Sequence, residues 1–152
     1  MSTPHGEDDP WSRHTGLVVD VLKITMPRDF SDQAPPVWVG HVSVPVSSVS
    51  TSAPFWRRLG MRQVFVGESV AVLELRGGTH VVLHPADAPI EPGTPAPFDL
   101  MVEDLPATRE RLAADGFQPT PIAHGRIHDS FTVSDPDGYA VKFSSSHVVG
   151  RV

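Results

Sequence analysis

The chain has 152 residues, of which 39% are hydrophobic and 20% charged, so a single domain with a real core is expected. It has no cysteine, which excludes disulfides, thiolate metal sites and a thiol nucleophile. A formal net charge of −6 argues against nucleic acid and permits a cationic small ligand, and no apolar run is long enough to cross a bilayer.

Residues 1–36 read as an extension and linker. Met1 to Arg13 is polar and lacks a basic start leading into an apolar core, so a secretory leader is not expected and a cytoplasmic setting is. Leu17, Val18, Val19, Val21, Leu22 and Ile24 form a short apolar patch, a strand or a short helix. Asp29 to Pro36 is polar and ends in two prolines, as a linker would. His5, His14 and His147 fall in tails and are expected to be solvated.

From Val37 to Val46 the pattern alternates. Trp38, Val42, Val44 and Val46 share one face, and His41 and Ser43 share the other. Trp38 and Trp56 are both expected in the core. Ser50 or Thr51 offers an N-cap, and Val49, Ser52, Ala53, Trp56 and Leu59 follow at helical spacing until Gly60 ends the helix. Strands are expected at Met61–Val66, Val70–Arg76 and Thr79–His84, with Gly77-Gly78 as a tight turn. Pro85 to Pro97 is a linker.

A second round follows. Phe98, Leu100 and Val102 alternate with Asp99, Met101 and Glu103. Asp104 is an N-cap, Pro106 sits in the first turn, and the helix stops at Gly116. Strands are expected at Phe117–Ala123, Asp129–Ser134 and Tyr139–Ser144, the last two joined by the turn Asp135-Pro-Asp-Gly138. At an offset of 56 residues the rounds superimpose without a gap: Val44 meets Leu100, Trp56 meets Leu112, and Gly60 meets Gly116. A duplicated βαβββ unit explains this.

The stretches His41-Val-Ser-Val-Pro-Val46, Ala53-Pro-Phe-Trp-Arg-Arg-Leu-Gly-Met61 and Phe131-Thr-Val-Ser-Asp-Pro-Asp-Gly-Tyr-Ala-Val-Lys-Phe143 resemble the vicinal oxygen chelate superfamily, the glyoxalase, bleomycin-resistance and dioxygenase group. The resemblance covers about Val37 to Ser146. It implies an α+β fold of two βαβββ modules, about residues 37–86 and 98–146, around a concave cleft, within a domain of residues 37–147 and ahead of a tail at 148–152. It also implies a homodimer. By alternation, His41, Ser43, His80, Val82, His84, Asp99, Lys142 and Ser144 face the cleft, and Glu74 and His128 are within its reach.

Metal-using relatives place ligands at four equivalent inward positions, which here read as His41, His84, Pro97 and Lys142. His41 and His84 suit a divalent metal such as zinc, iron, nickel or manganese, with Glu74, Asp99, His80 or water to complete the set. Proline and a charged lysine cannot ligate. The foremost expectation is therefore an organic small-molecule binder. The alternatives are a metal-dependent glyoxalase-like lyase or isomerase, or a dioxygenase, and an accessory domain with a degenerate pocket. A bland alternative for the polar set is a structural pair between Lys142 and Asp99.

Overall fold

The structure, a computed structural model, describes residues 36–146. The readings of residues 1–35, His147 and the tail lie outside the described residues. The elements run β1 (His41–Val46), α1 (Val49–Leu59), β2 (Arg62–Val66), β3 (Ala71–Glu74), β4 (His80–Pro85), β5 (Leu100–Val102), α2 (Leu105–Ala114), β6 (Ser130–Ser134) and β7 (Ala140–Ser145). They make a four-stranded sheet in the order β1-β4-β3-β2 and a three-stranded sheet in the order β5-β7-β6. In each, the first strand lies parallel to the last, β1 to β4 and β5 to β7. This is the topology of a βαβββ unit, complete in the first module and one strand short in the second, in an α+β fold.

Helix α1 is capped by Ser48, whose Oγ accepts the Thr51 N–H, two residues ahead of Ser50 and three ahead of Thr51, the two expected caps. Pro54 lies inside the helix and has no N–H for the Ser50 carbonyl. Val49, Ser52, Ala53, Trp56 and Leu59 form its buried face. Helix α2 opens as expected at Asp104, whose Oδ1 accepts the Ala107 N–H at 2.9 Å, with Pro106 in the first turn.

Strand alternation sorts each sheet into a buried face and an open one. Val44, Val46, Ala71, Leu73, Val81 and Leu83 of the first sheet, and Phe131, Val133, Val141 and Phe143 of the second, enter one core with Trp56 and Leu112. Trp56 packs 5.7 Å from Phe98, and Phe55 meets Phe117 edge-on at 5.4 Å, so α1 of the first module is seated on the second. Arg111 Nη2 donates to the Leu59 carbonyl at 3.2 Å, and Arg58 donates to that of Asp115. At the other end of β1, Tyr139 Oη donates to the Pro45 carbonyl at 2.9 Å and Ser47 N–H to Asp137 Oδ2 at 3.0 Å. Gly138, at φ +92°, belongs to the same turn. A Cβ there would come within 2.9 Å of the Pro92 Cα, so the turn needs glycine for space as well as for backbone sign.

Two expectations are corrected. The strand read at Phe117–Ala123 does not form. The segment is tied to β6 by a bridge from Ala123 to Ser130, by Thr120 N–H donating to the Thr132 carbonyl at 3.0 Å and by Thr132 N–H donating to Thr120 Oγ1 at 2.9 Å. Pro119 and Pro121 remove two ladder donors, which leaves a frayed edge. Trp38 is 73% exposed and not in the core. β1 starts at His41 because β4, its one neighbour among the described residues, starts at His80. Upstream of that pair the chain is held by Thr79 Oγ1 donating to the Val39 carbonyl at 2.6 Å.

Candidate functional site

Two surfaces remain for chemistry: the open faces of the sheets and the junction between the modules. On the first sheet, strand register builds a polar row across all four strands. His41 stands beside His80, His80 beside Glu74, and Glu74 beside Arg62. The His41 and His80 rings lie 5.5 Å apart, tilted by 57°. His80 Nε2 is 3.9 Å from Glu74 Oε1, and the other Glu74 oxygen is paired with Arg62. The next row is Ser43, Val82, Val72 and Phe65, three of the four apolar. His84 lies beyond it, beside Pro45, with Nδ1 3.0 Å from the Pro85 carbonyl.

This register separates His41 from His84. They stand four residues apart along parallel neighbours, which is about 13 Å. A single ion with ligand distances of about 2 Å does not span that gap. The register also resets the correspondence between modules. Val44 pairs with Leu83, and its repeat partner Leu100 pairs with Phe143, so Leu83 corresponds to Phe143. Lys142 therefore corresponds to Val82, and His84 to Ser144. Neither Lys142, Val82 nor Pro97 offers a ligand atom, and Glu74 is engaged by Arg62. Among the described residues no three of His, Asp and Glu are arranged to hold a metal ion. The residues present do not fit a metal centre of the kind the resemblance implies.

The open face of the second sheet carries Asp99, Met101, Ala140, Lys142 and Ser144, with Ser130, Thr132 and Ser134 of β6. Ser144 Oγ donates to Asp99 Oδ2 at 3.0 Å, and Ser144 is buried beneath that bond. The Lys142–Asp99 pair, the structural alternative for this polar set, is not formed. His128, in the loop before β6, is tied by Nδ1 to the Ser145 carbonyl at 2.7 Å.

A hollow of about 570 Å³ lies between the modules. Leu75 and Arg76, which follow Glu74, bound it on one side. Asp99, Leu100, Met101 and Glu103 of the β5 region bound it on the other. Arg76 Nη1 bridges the two walls to Glu103 Oε1 at 2.7 Å. Of the residues singled out from the sequence, Asp99 alone lines the hollow.

Alternation located the open-face side chains, but it missed Arg62, Phe65 and Met101. Plain antiparallel pairing outward from the hairpin at Gly67–Val70 would set Arg62 opposite Leu75; the register shift between Gln63 and Phe65 moves it opposite Glu74, and nothing in the alternation signals that shift.

Fold and site together define a two-module α+β protein with a hollow of small-molecule size at the module junction. The family model of the glyoxalase/bleomycin resistance protein/dioxygenase superfamily matches residues 38–143, and the chain belongs to that superfamily. Three solved structures share the fold. An antibiotic-binding protein, TnmS3 from Streptomyces sp. CB03234, is 21% identical with a TM-score of 0.63, the match covering 74% of this chain and 98% of that one. Lactoylglutathione lyase from Agrobacterium tumefaciens is 16% identical with a TM-score of 0.60, covering 77% and 99%. A glyoxalase/bleomycin resistance protein/dioxygenase from Alicyclobacillus acidocaldarius is 15% identical with a TM-score of 0.59, covering 74% and 94%. No curated protein matches the chain significantly in sequence.

Proposed function

We propose that the chain binds a small organic molecule in the hollow between its modules and on the open sheet faces that adjoin it. The observation that carries this reading is the hollow itself. Its 570 Å³ falls within the range of about 300–1,000 Å³ typical of ligand sites, and Leu75, Leu100, Met101 and Val102 supply apolar lining beside a few charged groups. Arg76, Asp99, Glu103 and Asp104 are the charged groups of its wall, and His41, Ser43, Glu74, His80, His84 and Lys142 are the polar side chains offered by the sheet faces, with His128 at the periphery. The antibiotic-binding neighbour supports small-molecule binding as one use of this fold. We also infer a homodimer, supported by the exposed apolar run Val64-Phe65-Val66 on the edge strand β2.

The test is a thermal-shift screen of small organic compounds against the full chain, repeated on Met101→Trp. Met101 lines the hollow and is 46% exposed, so the larger side chain fills the space with little effect on the core. A compound present at about 100 times its Kd stabilises the fold by about 2.7 kcal/mol. That stabilisation is expected to be lost in Met101→Trp, with the ligand-free urea midpoint unchanged. Compounds that stabilise both proteins equally would place binding elsewhere and end this reading.

A further inference from the structure

We infer that the ligand is an organic anion with an apolar body, and that Lys142 receives its charged group; this rests on the binding site proposed above. Lys142 stands on β7, the central strand of the second sheet, on the open face. Strand register brings Asp99 to its side, so a Lys142–Asp99 ion pair is the arrangement that would neutralise it. That pair does not form. Asp99 Oδ2 instead takes the Ser144 hydroxyl, and the Lys142 ammonium makes no ion pair or hydrogen bond with any described residue. Its three N–H donors are left for solvent or ligand.

The surroundings favour an anion's oxygens. Thr132 is the register partner of Lys142, and Ser130 and Ser134 flank it on the same face of β6. Of the acidic side chains that line the adjoining hollow, Asp99 takes the Ser144 hydroxyl, Glu103 is paired with Arg76 and Asp104 caps α2, while Lys142 stands on the sheet face beside the hollow and outside its lining. The corresponding wall of the first module is different in kind. There the position of Lys142 is taken by Val82, between Val72 and Ser43, with Phe65 one strand further. Two modules with one backbone plan thus present an apolar patch and a cation at matched positions. A ligand that uses both has an apolar body and a negative end.

The chain's overall charge of −6 opposes anions at long range. That field is screened beyond about 8 Å at physiological ionic strength, whereas a hydrogen bond from an ammonium to an anionic oxygen acts at contact and is among the strong ones. Any preference for an anion must therefore arise locally, which makes it readable by mutation.

Two fluorescent probes separate the contributions. 8-Anilinonaphthalene-1-sulfonate and N-phenyl-1-naphthylamine share one aromatic skeleton, and only the first carries a negative charge. In titrations of the full chain, the sulfonate is expected to bind about tenfold tighter or more, as a hydrogen bond to a charged group implies. Lys142→Gln removes that preference and Lys142→Arg retains it, the readout being the ratio of the two probes' affinities in each variant. Met101→Trp weakens both probes. If Met101→Trp weakens both but Lys142→Gln leaves the sulfonate unaffected, the anion inference is overturned and the binding site stands. If Met101→Trp leaves both unchanged, or neither probe binds at all, the site and the inference fall together.

Discussion

Asp135 carries more of the module junction than its place in a turn suggests. Its Oδ1 accepts the backbone N–H of Tyr139 at 2.8 Å and of Asp137 at 2.9 Å, which sets the turn from which Tyr139 reaches the Pro45 carbonyl. Its Oδ2 is buried with no hydrogen bond, and so is the Trp56 indole nitrogen, which lies near enough to favour the carboxylate without completing one. Burial pushes the Asp135 carboxyl above its ordinary 3.8, outweighing the two backbone donors that pull it down, and the neighbouring Asp137 charge adds to the rise. A folded-state pKa above the unfolded one means that the fold takes up this proton first. The stabilisation from that uptake is complete below the unfolded value and is lost as pH rises through the folded one. Asp135→Asn removes the titration and keeps an acceptor oxygen. The stability of the natural chain relative to Asp135→Asn is therefore expected to improve as pH falls from about 7 to about 4. Urea denaturation of both proteins across that range checks it; a difference that stays flat with pH would show that the carboxyl is not shifted.

At the scale of elements, α1 forms in spite of Pro54. Its apolar spacing is strong enough to bury Trp56 fully, and the Ser48 cap starts the helix early. An interior proline costs about 3 kcal/mol, and its rigidity in the unfolded chain returns at most about 1 kcal/mol. Pro54 is exposed, so Pro54→Ala removes no packing. A gain of about 1–2 kcal/mol is expected, read as a higher urea midpoint with an unchanged slope. A lower midpoint would mean that the ring has a packing role its exposure conceals.

The same local rules explain which parts of the site were legible in the sequence. The side of the sheet to which His41, Ser43, His80 and His84 belong follows from two-residue alternation, a property of adjacent residues. Which of them stand together depends on register between β1 and β4. Those strands are parallel and joined through α1, β2 and β3, so no short turn fixes their alignment. That is why His41 is found beside His80 and about 13 Å from His84. The frayed Phe117–Ala123 segment could have been anticipated from Pro119 and Pro121. The exposure of Trp38 could not, because alternation does not say where a neighbouring strand begins.

For the whole molecule, the open question of assembly turns on β2. It is an edge strand of the first sheet, and Val64, Phe65 and Val66 are 53%, 52% and 39% exposed. Natural edges are commonly blunted with charges, proline or bulges, and here the register shift between Gln63 and Phe65 is the one such device within the strand's apolar run. Phe65 belongs to the open face, in the row with Val72 and Val82, so a second copy seated along β2 would also extend the wall of the proposed ligand site. Two-fold pairing is the commonest way for identical chains to cover such a strip. Light scattering at micromolar concentration is expected to give twice the 16.5 kDa chain mass. Val64→Lys places a charge at the strand's register shift, where it is tolerated by an isolated chain and costly in a contact between two apolar edges. It is therefore expected to shift the mass to that of one chain without lowering the urea midpoint measured in dilute solution. A single-chain mass for the natural protein would overturn the homodimer. A dimer unaffected by Val64→Lys would keep the assembly but move its contact away from β2.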